Sequence, residues 1–181
     1  LLTQRNIMIN AEHGLSQLGM PQQDMTTLSF LPLSHVLERT GGYYATLING
    51  NHIAFAESAL KVLDNMIEVR PTSMVSVPRL FEKIYSRVYE GVSQMPPARQ
   101  KIFNRAIEIG REYVNKKYIT KEPLGLLELK YKLFDTLVFK KIRARFGGRL
   151  SYFLCGGAPL DKNICEFMWI IGLPVYNGYG L

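Results

Sequence analysis

Residues 151–160 read Ser-Tyr-Phe-Leu-Cys-Gly-Gly-Ala-Pro-Leu, and residues 175–181, the last of this 181-residue chain, read Val-Tyr-Asn-Gly-Tyr-Gly-Leu. In each stretch an apolar run typical of a β-strand opens directly into a glycine-rich turn. Glycines let backbone amides and carbonyls approach a ligand that a Cβ atom would keep away. The two stretches therefore predict neighbouring strand ends that can build a nucleotide pocket, although the first turn alone fits a plain strand-to-helix connection equally well.

Short apolar segments alternate with helical patterns along the rest of the chain. Strands are predicted over residues 27–31, 52–56, 72–77, 150–154 and 174–176. Because the strands are apolar on both faces and are separated by helices, the predicted fold class is α/β, with a mostly parallel sheet flanked by helices. We expect residues 1–181 to form a single α/β unit.

The segment 95–147 interrupts this alternation. Apolar residues recur at helical spacing over 95–118 and again over 126–146. The link between them contains Pro123 and Gly125, which end helices. We therefore expect a helical hairpin inserted between two strands of the sheet.

The net charge of +7 is unevenly distributed, since residues 95–150 contain 14 Lys or Arg against 5 acidic residues. Four of these cations, Lys140, Lys141, Arg143 and Arg145, lie close together. A non-enzymatic basic module that binds nucleic acid or an anionic membrane would explain this charge without any pocket. A solvated helix face explains it equally well, because cations near a helix C-terminus are favourable.

Metal and thiol chemistry are disfavoured by the composition. The three histidines are scattered singly, and the only two cysteines are Cys155 and Cys165, so no metal site is predicted. Cys155 with His35 lacks a third orienting group for nucleophilic catalysis. No apolar run approaches the roughly 18 residues that span a bilayer. We expect a cytoplasmic protein with reduced thiols.

Three single residues can serve a ligand at the carboxyl edge of the sheet. Tyr179 presents a flat ring to a purine, and Asn177 can form a hydrogen bond with a base edge. His35 follows a predicted strand end, where it either faces a cleft or acts as a capping or packing histidine. The turn at 177–180 lacks the third glycine and the following helix of the dinucleotide fingerprint, which disfavours a Rossmann dehydrogenase.

Four ordered motifs at 30–39 (FLPLSHVLER), 76–84 (SVPRLFEKI), 154–160 (LCGGAPL) and 176–181 (YNGYGL) closely resemble the adenylate-forming enzymes, and more narrowly the long-chain fatty acyl-CoA synthetases. The resemblance extends over essentially the whole chain and includes the long helical insertion. It implies a ligase that activates a fatty acid with Mg-ATP to acyl-AMP and transfers the acyl group to coenzyme A. Another adenylate-forming ligase, acting on an aryl or amino acid, is the alternative within the family.

The resemblance also implies roles for individual residues. The motif at 154–160 corresponds to the segment that lines adenine and ribose, the turn at 177–180 to the one whose tyrosine stacks on adenine, and the motifs at 30–39 and 76–84 to the acyl and coenzyme A tunnel. The implied nucleotide-binding residues are Gly156, Gly157, Ala158, Pro159, Asn177, Gly178, Tyr179 and Gly180, and the implied tunnel residues are His35 and Val77. Further tunnel-wall candidates on the resemblance alone are Tyr43, Val75, Leu80 and Phe81, although ordinary core packing explains each of them better when it is taken separately.

Several parts of the family pattern are expected outside these 181 residues. The resemblance places the phosphate-binding loop before Leu1, and the Thr-Glu pair that contacts phosphate and magnesium after Leu181. We therefore expect a fragment of the large N-terminal domain that has no confident catalytic residue and is inactive alone. Its expected partners are fatty acid, ATP and coenzyme A, with peripheral contact at the inner face of a membrane and no nucleic acid.

Overall fold

The computed structural model describes residues 3–16 and 24–178. Within these residues, five strands form one parallel sheet in the order β2-β1-β3-β4-β5. The strands are β1 (Thr26–Ser29), β2 (His52–Phe55), β3 (Ser73–Ser76), β4 (Tyr152–Cys155) and β5 (Val175–Asn177). The predicted α/β class with a parallel sheet is confirmed.

Helices connect and flank the strands. They are α1 (Gln4–Ser16), α2 (Ala45–Ile48), α3 (Val62–Val69), α4 (Pro78–Ser93), α5 (Pro97–Val114), α6 (Leu126–Phe134), α7 (Lys140–Ala144) and α8 (Lys162–Ile170). Three π-helical segments, Glu38–Tyr44, Asn115–Thr120 and Asp135–Phe139, precede α2, follow α5 and join α6 to α7. Pro78 and Pro97 occupy the first turns of α4 and α5, where a missing N–H costs nothing.

One face of the sheet, here called the apolar face, packs into the main hydrophobic core. Leu28, Met74, Phe153 and Val175 project from four successive strands into this core and are at most 2% exposed. The core also contains Phe81, whose ring lies edge-on to that of Phe153 at 5.1 Å. Helices α3, α4, α5 and α8 supply most of the remaining core side chains.

The opposite face, here called the polar face, carries Thr27, Ser29, Ser73 and Tyr152. Helix α1, the first π-helix and α2 pack on this side with a smaller apolar cluster. Thr46 donates a hydrogen bond to the Thr27 hydroxyl, which in turn lies 2.9 Å from that of Ser73. On the polar face, hydrogen bonds between hydroxyl groups thus connect α2 to β1 and β1 to β3, and the apolar cluster is smaller than on the other face.

The inserted helices form the expected hairpin between β3 and β4. Tyr113 of α5 and Tyr131 of α6 stack with ring centroids 3.9 Å apart. Arg143 then forms two hydrogen bonds with Asp135 and a third with the carbonyl of Ile171. These contacts tie the insertion to the loop after α8.

The segment at the end of β1 differs from the expectation in two respects. The first strand ends at Ser29 instead of residue 31, because the chain turns towards the helix that follows. That helix is a π-helix instead of an α-helix over most of its length. A Cβ on Gly41 would lie 3.6 Å from Val75 of β3, an ordinary contact distance, whereas a Cβ on Gly42 would clash with the carboxyl of Glu38 in the same helix.

Candidate functional site

The two glycine-rich turns leave adjacent strands at the carboxyl edge of the sheet. Cys155 at the end of β4 is paired with Asn177 at the end of β5. The Gly178 N–H donates to the Cys155 carbonyl at 2.7 Å, and the Gly156 N–H donates to the Ser76 carbonyl at 3.2 Å. A Cβ atom on Gly156 would lie 3.5 Å from the carbonyl oxygen of Gly178. The described parts of the two turns are therefore side by side.

Two residues of the predicted nucleotide site, Tyr179 and Gly180, lie outside the described residues. Their proposed contacts with adenine accordingly stay predictions.

The first turn needs glycine at both of its leading positions. Gly157 has φ +83°, in the left-handed region where side chains are strained. A Cβ on Gly156 would lie only 3.0 Å from both Cδ atoms of Leu37. Gly157, Ala158 and Pro159 are exposed, so this turn presents small residues and main chain to a ligand.

The segment after β1 supplies one wall of the same edge. The Leu37 side chain packs against Gly156, as its 3.0 Å approach shows. His35 lies two residues earlier, is exposed, and accepts a hydrogen bond at Nδ1 from the Leu37 N–H at 3.2 Å. The ring therefore caps the start of its own helix, which places the proton of the neutral imidazole on Nε2.

Val77 supplies a second wall. It follows β3, and its Cγ1 would lie 3.8 Å from a Cβ on Gly157. Val77 is also the N-cap of α4, which has no side-chain cap and no acidic residue in its first turn. The positive end of this 16-residue helix dipole therefore lies beside the glycine turn, where it favours an anionic group.

Glu38 is the residue that sequence reasoning missed. It is fully buried, and neither carboxyl oxygen has a hydrogen-bond partner. Burial raises its pKa to about 7, an effect that nearby Ser29 only partly opposes. Its Oε1 would lie 2.5 Å from a Cβ on Gly42, so glycine there makes the space that the carboxyl occupies. The signal available in the sequence was an acid that lies three and four residues before a pair of glycines, Gly41 and Gly42.

The cysteines do not supply a nucleophile. Cys155 is 1% exposed, and burial raises the pKa of its thiol to about 11. Cys165 on α8 lies 4.0 Å from the Asn177 amide nitrogen, and burial raises its pKa as well. Both thiols are therefore protonated near neutral pH.

The additional tunnel-wall candidates fall into two groups. Leu80 and Phe81 lie in the main core at 5% and 0% exposure, where they pack against other core residues. Val75 lies on the polar face against Gly41, and Tyr43 lies in the π-helix. Among residues 3–16 and 24–178, no cluster of three His, Cys, Asp or Glu side chains could hold a metal ion.

A model of the AMP-binding enzyme family matches residues 1–181. The chain belongs to this family. The match includes the basic segment 95–150, so it supports the adenylate-forming interpretation and not the separate basic module. The resemblance drawn from the four motifs is confirmed.

Named relatives agree with this assignment. Long chain acyl-CoA synthetase 1 of Arabidopsis thaliana is 33% identical over 160 residues, which cover 87% of this chain and 23% of the relative. Long-chain-fatty-acid–CoA ligase FadD15 of Mycobacterium tuberculosis is 34% identical over 154 residues, covering 85% of this chain and 25% of the relative. The chain thus spans about a quarter of the length of these curated relatives.

Solved structures share the fold. The adenylation domain of the carboxylate reductase from Mycobacterium chelonae has a TM-score of 0.60 at 17% identity, covering 97% of this chain and 23% of that one. The A-PCP didomain of carboxylic acid reductase from Segniliparus rugosus, solved in complex with AMP, has a TM-score of 0.58 at 21% identity, covering 97% and 21%. At these identities the similarity establishes the architecture alone.

Proposed function

We propose that this chain is part of the adenylation domain of a long-chain fatty-acid–CoA ligase. In the proposed reaction a fatty carboxylate attacks the α-phosphate of ATP, forming acyl-AMP and releasing pyrophosphate. The thiol of coenzyme A then attacks the acyl carbon, and AMP leaves. The similarity to named long-chain acyl-CoA synthetases and ligases favours a fatty acid over an aryl or amino acid substrate.

The single observation that carries the proposal is the meeting of two glycine-rich turns at the carboxyl edge of adjacent parallel strands. Ligands of open α/β sheets bind outside this edge. Gly156 and Gly178 lie next to each other there, and Leu37 and Val77 supply apolar walls on either side. A nucleotide needs an exposed backbone and small residues, and an acyl chain needs apolar neighbours.

The residue roles in the proposal are those that the resemblance to the long-chain fatty acyl-CoA synthetases implies. Gly156, Gly157, Ala158 and Pro159 line adenine and ribose, while Asn177, Gly178, Tyr179 and Gly180 contact the base, with Tyr179 stacked on it. Val77 and His35 lie on the acyl and coenzyme A side. Because Nδ1 of His35 already accepts a hydrogen bond from its own backbone, a steric role fits this ring better than proton transfer.

ATP, Mg²⁺ and coenzyme A are the proposed co-substrates and metal of the full-length ligase. Bound Mg²⁺ neutralises the charge of the ATP phosphates during adenylation. In the proposal Mg²⁺ would be held by the ATP phosphates, and none of the described residues is assigned to it. The uncapped start of α4 favours the negative charge of the nucleotide.

The test of the proposal is turnover by the full-length protein. AMP release is measured with palmitate, octanoate and benzoate in turn, each with ATP and coenzyme A. We expect the highest kcat/KM with palmitate. Turnover with benzoate or octanoate only would reject the long-chain assignment, and AMP release with none of the three would reject the ligase.

At the level of single residues, Tyr179→Ala should weaken ATP binding by about 1–3 kcal/mol through loss of base stacking. Isothermal titration calorimetry measures this directly. The matched control is Phe55→Ala, which removes an exposed aromatic ring at the end of β2. This strand and β5 are the two opposite edge strands of the sheet. An unchanged dissociation constant in Tyr179→Ala would remove this ring from the site.

For localisation we propose a cytoplasmic protein with peripheral membrane contact. No helix in the described ranges is long and apolar enough to cross a bilayer. Ile119, Leu126, Leu129 and Leu133 are 57–74% exposed on the helical insertion. Exposed apolar side chains among lysines are typical of interfacial helices. Co-sedimentation of the full-length protein with vesicles that contain anionic lipid should fall when these four residues are changed to serine, and unchanged sedimentation would reject the contact.

A further inference from the structure

The helical insertion contains a groove that is separate from the glycine turns. It lies between the C-terminal half of α4, the first two turns of α5, and the π-helical segment Asp135–Phe139 with α7, and it has a volume of about 470 Å³. This volume falls within the range of roughly 300–1,000 Å³ that small-molecule sites occupy. The groove is therefore large enough to hold a ligand.

The floor of the groove is apolar. Phe103 and Val88 are buried at its base, while Ile102 and Leu137 line it with nearly half of their surfaces exposed. Gly91 has no side chain to fill the groove on the α4 side. The guanidinium of Arg145 lies 3.5 Å from the position that a Cβ on this glycine would occupy. An apolar floor that stays open to solvent favours burial of a hydrocarbon ligand.

The polar lining of the groove has one sign of charge. Arg99 comes from the first turn of α5, and Lys141 and Arg145 lie one helical turn apart at α7. Their side chains form no ion pair within residues 3–16 and 24–178, and none of the lining residues is acidic. Arg99 also lies at the positive end of the α5 dipole, in a first turn that has no acid. The groove therefore has uncompensated positive charge beside an apolar surface.

We propose that this groove is a second fatty-acid site, in which the cations Arg99, Lys141 and Arg145 hold the carboxylate and the apolar floor holds the alkyl chain. The groove's own chemistry selects a single-chain amphipathic anion, and the choice of a fatty acid among such anions rests on the proposed function. A bound fatty acid would be stored next to the enzyme that consumes it.

Three other occupants fit less well. Inorganic phosphate has no group to cover the apolar floor. A single-stranded nucleic acid binds a positively charged groove that follows its backbone, with its bases stacked on aromatic side chains. Among the described residues that line this groove, the one aromatic residue, Phe103, is buried. A membrane surface contacts protruding apolar side chains, whereas this site is a concave groove.

The experiment uses the full-length protein with its catalytic pocket blocked by an acyl-sulfamoyl adenosine, so that remaining fatty-acid binding reports on the groove. Binding of the fluorescent fatty acid cis-parinaric acid is titrated in wild type and in the triple variant Arg99→Gln, Lys141→Gln, Arg145→Gln. We expect saturable binding that palmitate displaces, and that hexadecanol and inorganic phosphate displace poorly. The triple variant should bind roughly tenfold more weakly, since each lost ion pair contributes modestly at an exposed site.

The matched control is Lys101→Gln, Lys130→Gln, Lys140→Gln, which removes the same charge from residues of the insertion that do not line the groove. We expect this control to bind like wild type. Equal weakening in both variants would show a non-specific charge effect and would overturn the proposal. So would absence of binding to the blocked protein, unchanged binding in the groove variant, or equal displacement by hexadecanol.

Further measurements distinguish a fatty-acid site in the groove from a membrane-contact surface and from the proposed ligase function. If the groove variant loses affinity for anionic vesicles but not for parinaric acid, the surface contacts membrane and the second fatty-acid site is wrong. ATP–pyrophosphate exchange at saturating palmitate should be unchanged in the groove variant, because none of its three residues lies at the glycine turns. If the wild-type protein forms no acyl-AMP but still binds parinaric acid through the three cations, the proposed function fails while the groove stands.

Discussion

The two faces of the sheet solve the problem of burial in different ways. On the apolar face, Leu28, Met74 and Phe153 fill a dry core at 0–1% exposure. On the polar face, the same strands present Thr27, Ser73 and Tyr152, and a void of only about 10 Å³ lies among these residues. Neighbouring residues in each strand therefore serve different purposes, because successive side chains point to opposite faces.

Glu38 makes the contrast sharper. A buried carboxyl group without a hydrogen bond costs free energy, and the protein keeps one on the polar face beside Ser29. Leu37, directly before the π-helix that contains Glu38, contacts Gly156 of the glycine turn with its side chain. Departures from good packing and hydrogen bonding concentrate at functional sites. The apolar face thus supplies stability, and the polar face carries the π-helix with its buried, unpaired carboxyl next to the candidate site.

Phe153→Ala on the apolar face tests the stabilising half of this comparison. The variant removes a fully buried ring and its edge-on contact with Phe81, so we expect a loss of about 3–5 kcal/mol in the free energy of unfolding. Urea denaturation of the full-length protein measures the loss.

Thr27→Val on the polar face is the counterpart. It should lower the free energy of unfolding by about 1 kcal/mol, because it removes the hydroxyl that links Thr46 to Ser73. Equal losses in the two variants would contradict the division of roles.

Glu38→Gln tests the polar face through pH. The Glu38 pKa is about 7 in the folded state, against an ordinary value of 4.5. Between these values the unfolded state loses its proton while the folded state keeps it, so the free energy of unfolding falls as pH rises from about 4.5 to 7 and then stays low. The total loss is about 3 kcal/mol. Glutamine cannot ionise, so the variant should be more stable than wild type at pH 8 by up to this amount.

The measurement is the urea midpoint of wild type and Glu38→Gln at pH 5 and pH 8. Glu57→Gln is the control, since the hydrogen bond from Lys61 lowers the pKa of the exposed Glu57 and leaves it ionised across this range. We expect Glu57→Gln to keep the wild-type pH dependence. A wild-type slope in Glu38→Gln as well would show that this carboxyl is not the titrating group.

Much of the fold was predictable from sequence because local signals agreed with the final structure. The proline at the start of α4, the apolar strands and the breakers at Pro123 and Gly125 each act over a few residues. The π-helix at Glu38–Tyr44 was not predictable in this way. It packs against the sheet through contacts such as that between Gly41 and Val75, a residue more than thirty positions later in the chain, and no local pattern specifies these contacts.

The site was predictable to a similar extent. The positions of Gly156 and Gly178 followed from the rule that parallel strands end at one edge. The contact between Leu37 and Gly156, and the burial of Glu38, depend on side-chain placement across the sheet. No pattern within either segment specifies such a contact, so the sequence predicted that the two turns meet at one edge of the sheet but not which side chains surround them.

Gly156→Ala tests whether Leu37, next to the polar face, sets the position of the glycine turn. This variant has the smallest expected effect. The new Cβ would lie 3.0 Å from two carbons of Leu37, so the turn or the leucine must shift by a few tenths of an ångström. We expect ATP to bind the full-length protein about three- to tenfold more weakly by calorimetry. Gly14→Ala, with nothing within 4 Å of its new Cβ, is the matched control and should bind ATP like wild type.

Leu37→Ala in the Gly156→Ala background should restore most of the affinity, because it removes the atoms that clash. The coupling free energy between the two changes should be about 0.5–1 kcal/mol. Purely additive effects would show that Leu37 does not set the position of the nucleotide turn, and the polar face would then have no direct influence on the site.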